Sequence, residues 1–518
     1  KEKNQPESFM LSQVLSGTVI GIEAHLVYVE VDISSGLPAF STVGLPEGAV
    51  RESKDRVKAS IRNAGYEFPS DRITVNLAPA DVKKTGTGFD LPIALGILAA
   101  TGLIPPAALQ DHLVAGELSL DGRVRPVPGV LPLAAAARKA GLRGLYVPRA
   151  NVREAAVVEG ISVYPVETLS SAVENLVGAS NPVPAPALRA GKGLNGGGNG
   201  DFLDVRGQEN AKRALEVAAA GGHNAILVGP PGSGKTMLAR RLPAILPELD
   251  FDEALETSMV YSVAGLLPEG TSLVTERPFR APHHTVSDAG LVGGGHNPRP
   301  GEVSLAHHGI LFLDEMPEFR RSVLDVLRQP METGAVTISR VSSSVTFPAD
   351  FMLVGAMNPC PCGYLGDAKR SCTCTPEQVH RYRARISGPL MDRIDLQVEV
   401  PRVPYRALKG EATGRSSGEI LDRVLEARGI QARRFRGTPI HTNAAMDGPM
   451  LREHAAPDPE GERVLEQAVE RFGLSARAHA RILKVARTIA DLEGSAGVRA
   501  DHLAEAVQYR SMDLDPFR

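Results

Sequence analysis

The sequence predicts an α/β fold: a P-loop core closed by a mostly helical C-terminal lid, with a second α/β domain ahead of it. Three observations predict this. The apolar run Ala225-Ile226-Leu227-Val228 passes through a glycine-rich loop into a helix-forming run that starts at Met237. A second apolar run, Ile310-Leu311-Phe312-Leu313, ends in two carboxylates, Asp314 and Glu315. Residues 181–200 are first proline-rich and then glycine- and asparagine-rich, which reads as a linker, stiff and then loose. The expected boundaries are 10–180 for the first domain, 181–200 for the linker, 201–402 for the core and 403–518 for the lid. Residues 1–9 are polar and read as an artificial extension ahead of a native start at Met10.

In the first domain, residues 14–33 alternate apolar and polar, with breaks at Gly17, Gly21 and Glu23-Ala24-His25. That predicts two short strands and a hairpin. Residues 47–64 predict a helix with Arg51, Lys54, Asp55, Lys58 and Arg62 on one face. Residues 73–77 predict a strand. Residues 91–109 carry no charge and are long enough to raise the question of a membrane span. Pro92, Gly96, Gly102, Pro105 and Pro106 interrupt the run, so a buried helix and a turn are expected. The stretches 113–118 and 124–127 follow, then a helix over 131–140 and a strand over 144–147. No signal-peptide pattern is present, which makes the cytoplasm the default location, with no membrane partner.

The chain has 518 residues, 43% hydrophobic and 23% charged, enough for several domains with large cores. A net charge of −3 makes no global case for nucleic acid. Any such partner must meet a local basic surface.

In the core, Gly229, Pro230, Pro231, Gly232, Ser233, Gly234, Lys235 and Thr236 fill every fixed position of a P-loop, and Met237 opens the helix behind it. Glycines there let successive backbone N–H groups converge on one anion at a helix N-terminus. Lys235 is expected on the β- and γ-phosphates of ATP, and the Thr236 hydroxyl on Mg²⁺. Asp314 is expected to hold that Mg²⁺ through water, and Glu315 to polarise the attacking water as general base. In ring ATPases the polar residue ending the next central strand, here Asn358, senses the γ-phosphate or orients water. Arg393, in Met391-Asp392-Arg393-Ile394-Asp395, is read as an arginine finger for a neighbour's site, because its planar cation stabilises transition-state charge. Arg477, opening a helix that continues to Leu492, suits a second phosphate sensor. Arg481, Lys484 and Arg487 are the weaker alternatives.

All four cysteines, Cys360, Cys362, Cys372 and Cys374, fall within fifteen residues, spaced C-x-C-x₉-C-x-C. In a reducing cytosol this predicts a tetrahedral structural Zn²⁺ site; four free thiols are the alternative.

The first domain resembles the proteolytic domain of Lon protease, of the ribosomal S5 domain 2-like type, and the related domain of RadA. Asn76-Leu77-Ala78-Pro79-Ala80-Asp81, Gly88-Phe89-Asp90-Leu91-Pro92-Ile93-Ala94 and Gly116 to Val124 carry that resemblance. The protease needs a serine before the alanine-rich helix and a lysine opening the later one. Here Gly88-Phe89-Asp90 has no serine, and no lysine precedes Lys139. The dyad is absent, so the expectation is a scaffold for ring assembly or nucleic-acid binding.

Arg280-Ala281-Pro282-His283-His284-Thr285, Gly293-Gly294-Gly295, the run from Pro300 to His307, Asn358-Pro359-Cys360-Pro361-Cys362-Gly363 and Arg385-Ile386-Ser387-Gly388-Pro389-Leu390 extend the resemblance. The chain resembles the Mg-chelatase-like AAA+ ATPases, most closely the YifB/ComM branch, over nearly all of residues 10–509. The resemblance implies a homo-hexameric ring motor. ComM-type members act as helicases that extend branch migration on single-stranded and branched DNA during natural transformation, alongside recombination proteins.

Thr236 and Asp314 lie 78 residues apart, more than a bare P-loop core needs. The surplus, about 260–300, looks like this clade's pore-directed insert, and 336–347 like a pore hairpin. Arg340, Arg280, Arg299 and His296 are the candidate phosphate contacts, expected to track backbone without reading sequence. The alternatives are a chelatase-type motor that remodels a protein partner, a Lon-like protease, and a non-enzymatic ring clamp. Lys235 and Glu315 together speak against the last.

Overall fold

The computed structural model describes residues 10–180, 183–186, 200–268, 271–295, 298–340, 343–367, 369–403 and 414–510. Both modules are α/β. The first is built on a mixed sheet. Its strands are β1 (Met10–Ile20), β2 (Glu23–Ser34), β3 (Ala39–Val43), β4 (Arg72–Ala78) and β5 (His112–Val114), then a separate ribbon of β6 (Glu117–Leu118) and β7 (Val124–Arg125), then β8 (Gly144–Pro148) and β9 (Ser162–Val166). The sheet order is β3-β4-β2-β1-β5-β8-β9. The predicted short strands over 14–33 are instead two long ones, paired without interruption from Met10↔Ile33 to Ile20↔Glu23. Gly17 pairs with Leu26 inside that ladder, because alternation survives across it: Val27, Val29 and Val31 are all fully buried. β3 escaped the sequence reading, being a half-exposed edge strand without an apolar run.

The helix Asp90–Ala100 is buried along its whole length against β1 and β2. It is therefore a core helix, each leucine or isoleucine contributing about 1.5–3 kcal/mol by transfer from water. No helix among the described residues is long and apolar enough to cross a membrane. At its start, where a Lon-type nucleophile would stand, Asp90 is buried and takes a two-pronged pair from Arg56 at 2.7 and 3.0 Å.

The second module carries a parallel sheet of β10 (Ala225–Val228), β11 (Phe279–Arg280), β14 (Ile310–Leu313), β17 (Met352–Met357) and β18 (Leu396–Glu399), in the order β11-β14-β17-β10-β18. Two ribbons lie outside it: β12 (Gly293–Gly294) with β13 (Arg299–Pro300), and β15 (Ala335–Arg340) with β16 (Ser343–Pro348). β10, β14 and β17 are buried at every position, which is why they read as unbroken apolar runs. Ligands of parallel sheets bind at the carboxyl ends of the strands, and the P-loop, Asp314 and Asn358 all follow such ends.

The lid helices Ser417–Arg434 and Ala476–Leu492 pack on the helix Glu209–Gly221. His223 ties sheet to lid, reaching Asp395 at 3.0 Å and Thr488 at 2.8 Å. Arg481 pairs with the same buried Asp395. Burial works against that carboxylate's charge, yet Arg481 and His223 hold it well below the usual range. Arg487 is buried on Asp491, and Lys484 donates to the Ala444 carbonyl at 2.8 Å. The three weaker sensor alternatives thus each have a partner within the sheet and lid.

The two modules meet through the helix Phe251–Ala264, which packs on the first module's helix Val130–Lys139. Leu255 and Met259 join that module's core, and Gly129 N–H donates to the Ser262 carbonyl at 3.0 Å. The β1–β2 turn comes so close to β16 that a Cβ on Gly21 would stand 2.6 Å from the Thr346 carbonyl oxygen. The stretch 260–300 is therefore not one projecting insert. Its start is a domain-contact helix, and Phe279-Arg280 is a strand of the core sheet beside β14.

Candidate active site

The P-loop links β10 to the helix Lys235–Arg241, with Gly232 and Gly234 in the left-handed region that the turn requires. A cavity of about 410 Å³ opens over it, lined by the loop from Pro231 to Met237 together with Asp314, Glu315, Met357 and Asn358. Five predicted groups thus converge: Lys235, Thr236, Asp314, Glu315 and Asn358. Gly229 and Pro230 lie just outside this lining; their carbonyls accept from Lys235 Nζ at 2.7 and 3.0 Å. Asn358 Oδ1 accepts from the same ammonium at 3.2 Å. Burial lowers the Lys235 pKa, and Asp314 and Glu315 partly offset that.

Thr236 Oγ1 donates to Asp314 Oδ2 at 2.8 Å. This hydroxyl–carboxylate pair fits Mg²⁺: Thr236 and Asp314 would hold the ion, which would neutralise charge between the β- and γ-phosphates. The loop also fits a nucleotide. Ser233 Oγ is buried without a hydrogen-bond partner among the described residues. Glu315 is exposed beside Asp314, free to reach water on the phosphate side.

Sequence reasoning missed Gln208. Its side-chain amide bridges the carbonyls of Ser233 at 3.1 Å and Pro401 at 2.5 Å, tying the P-loop to the strand end beyond β18. Gly207 just before it was the only local signal in the sequence; in the structure Gln208 itself has a left-handed φ of 63°.

Arg393 and Arg477 do not line this cavity. Arg393 is mostly buried elsewhere, donating to the Pro389 carbonyl and paired with Glu332. Arg477 is exposed and meets Asp392 at 3.3 Å, next to Arg393. Burial lowers the Arg393 pKa, and Arg328, Arg477 and Arg481 push the same way. A cluster of guanidiniums therefore sits apart from the protomer's own P-loop.

The four cysteine sulfurs lie within 4.8 Å of one another. Cys360 Sγ is 3.4 Å from Cys362 Sγ and 3.6 Å from Cys372 Sγ. A tetrahedral zinc–thiolate site has sulfur–sulfur edges of about 3.8 Å, so this donor set fits Zn²⁺. The four thiolates would hold the ion and leave no open position, giving a structural tie. That tie abuts the P-loop: a Cβ on Gly363 would stand 2.6 Å from Pro231 Cδ, and Gly363 also has a left-handed φ of 83°.

Of the proposed DNA contacts, Arg280 is corrected. Its guanidinium is half-buried in a two-pronged pair with Glu302 at 2.7 and 2.8 Å, because β11 belongs to the core sheet. Arg299 is exposed on β13. His296 lies outside the described residues. Arg340 ends β15 at the tip of the ribbon.

Sheet order, loop and acidic strand end together define a P-loop module of the AAA+ kind. Comparison with known families agrees. The family described as Magnesium chelatase, subunit ChlI, matches residues 201–408. Subunit ChlI of Mg-chelatase matches 29–151, and the ChlI C-terminal family matches 414–510. The chain is 45% identical to the competence protein ComM of Haemophilus influenzae, over 97% of this chain and 98% of that protein. It is 44% identical to YifB of Escherichia coli, over 97% of each. A Magnesium-chelatase 67 kDa subunit of Chlorobaculum parvum is 31% identical over 30% of this chain and 23% of its own length. The chain belongs to the ComM/YifB family of Mg-chelatase-like AAA+ ATPases.

Proposed function

We propose that the chain is an ATP-driven ring motor on DNA, a helicase that promotes branch migration during natural transformation. The carrying observation is full-length similarity to a competence protein, joined to a complete set of hydrolytic groups. Lys235 and the loop bind the phosphates, Thr236 and Asp314 bind Mg²⁺, Glu315 takes the proton of the attacking water, and Asn358 positions it. Arg393 and Arg477 act on the ATP of the next subunit. Their separation from the protomer's own cavity supports a heterologous, head-to-tail ring, a homo-hexamer. The ring works in the cytoplasm on single-stranded and branched DNA beside recombination proteins. Arg299 and Arg340 contact phosphates, and zinc fixes the cysteine loop.

A second reading, a motor that remodels a protein partner as Mg-chelatase-type engines do, is favoured by the ChlI family matches along the chain. Unwinding of three- and four-way junctions by wild type and by Lys235→Ala separates the two. Junction unwinding that needs Lys235 supports the DNA motor. ATP turnover stimulated only by a protein supports the second reading.

A further inference from the structure

A cavity of about 560 Å³ lies between the arginine cluster and the base of the β15–β16 ribbon, lined among others by Arg328, Gln329, Glu332, Ile338 and Arg393. Two guanidiniums share it. Arg393 donates to the Pro389 carbonyl and Glu332, but its Nε is buried without a hydrogen-bond partner among the described residues. The Arg328 guanidinium, half-buried after the helix Arg321–Asp325, makes no hydrogen bond or ion pair among them. Asp325, the other carboxylate on the wall, accepts from Ser387 at 2.7 Å and meets Arg321 at 3.8 Å. Glu332 is therefore the one carboxylate among the described residues that pairs with either guanidinium, and it meets Arg393 only. Like charges held in one partly dry cavity repel, so the arrangement favours a further anion with several oxygens. Neither arginine lines the protomer's own nucleotide cavity.

We propose that Arg328 is a second guanidinium of the inter-subunit site, gripping with Arg393 the terminal phosphate of the ATP held by a neighbouring copy of this chain. This rests on the ring reading above and deepens it. Water adds to the γ-phosphorus as the bond to the β-bridging oxygen breaks, giving ADP and inorganic phosphate. The water's proton passes to the neighbour's Glu315. The guanidiniums exchange no proton; their charge meets the oxygens as the bond breaks. Glu332, 59% exposed, can leave Arg393 as the phosphate arrives.

The test uses full-length Arg328→Ala, Arg328→Gln, Arg328→Lys and Arg393→Ala, with ATP turnover, sedimentation, junction-DNA affinity and thermal melting measured on each. Arg328→Ala and Arg328→Gln are expected to lower kcat on the order of 100-fold. KM, ring size, DNA affinity and melting should stay near wild type, and Arg328→Lys should recover part of the rate. If Arg393→Ala is inactive while both neutral Arg328 variants turn over like wild type, Arg328 has no such role and the ring reading stands. If Arg393→Ala is also active, the ring reading itself falls. Weakened DNA binding with intact basal turnover would make Arg328 a DNA contact instead and overturn the proposal.

Discussion

Ser262 Oγ donates to Glu154 Oε2 at 2.6 Å, joining the ATPase module to the first domain across 108 residues of sequence. Asn151 Nδ2 donates to the other carboxylate oxygen at 2.5 Å. The site is buried, and burial raises the Glu154 pKa above the ordinary carboxylate range despite both hydrogen bonds. An acid with a raised folded pKa contributes stability that is complete below its unfolded value of about 4.3 and is lost as pH rises through the folded value.

Glu154→Gln stays neutral at every pH. Its melting temperature should fall less between pH 5 and pH 8 than wild type's. Glu154→Ala should cost about 1–3 kcal/mol at pH 5, by leaving the Ser262 hydroxyl and one Asn151 N–H without their acceptor, and less at pH 8, where wild type has lost part of the carboxyl's contribution. A Gln variant that melts as low as the Ala variant at pH 8 would contradict this.

Replacing Lys235 by Ala or Glu315 by Gln should lower ATP turnover at least about 100-fold, for different reasons. The first removes phosphate binding. The second leaves it, so Glu315→Gln should retain ATP in an equilibrium binding measurement while Lys235→Ala does not.

Metal analysis of protein purified without chelator should find one zinc per chain. Cys372→Ser should lose it and lower ATP turnover, because the loop that sets Gly363 against Pro231 is released. Zinc-free protein with full turnover would remove the metal from the account.

The basic residues near the ribbons should divide. Arg340→Ala and Arg299→Ala should weaken DNA-stimulated turnover and leave basal turnover intact. Arg280→Ala should cost about 1–2 kcal/mol of stability instead, because it breaks the half-buried pair with Glu302. Equal effects of all three on DNA stimulation would contradict that division.

The nucleotide site was legible because its signals are local. A P-loop is one short stretch, and Asp314, Glu315 and Asn358 each end an apolar strand. The lid helix expected from Arg477 to Leu492 is there, as Ala476–Leu492, with Ser475 as its cap. What sequence could not supply was tertiary. Arg280 looks basic and free until β11 docks beside β14 and brings Glu302 to it. Arg328 carries no motif, and only the fold sets it beside Arg393, 65 residues on. The Ser262–Glu154 link likewise has no trace in local pattern, since both are ordinary polar residues on surface-like helices.

The most direct test mixes two disabled variants. Lys235→Ala and Arg393→Ala should each be nearly silent in ATP hydrolysis alone. Mixed in equal amounts and allowed to reassemble, about a quarter of interfaces would pair an intact loop with an intact arginine, and turnover should return to a comparable fraction of wild type. A mixture as silent as its components, or an Arg393→Ala protein active by itself, would contradict a site completed between neighbours.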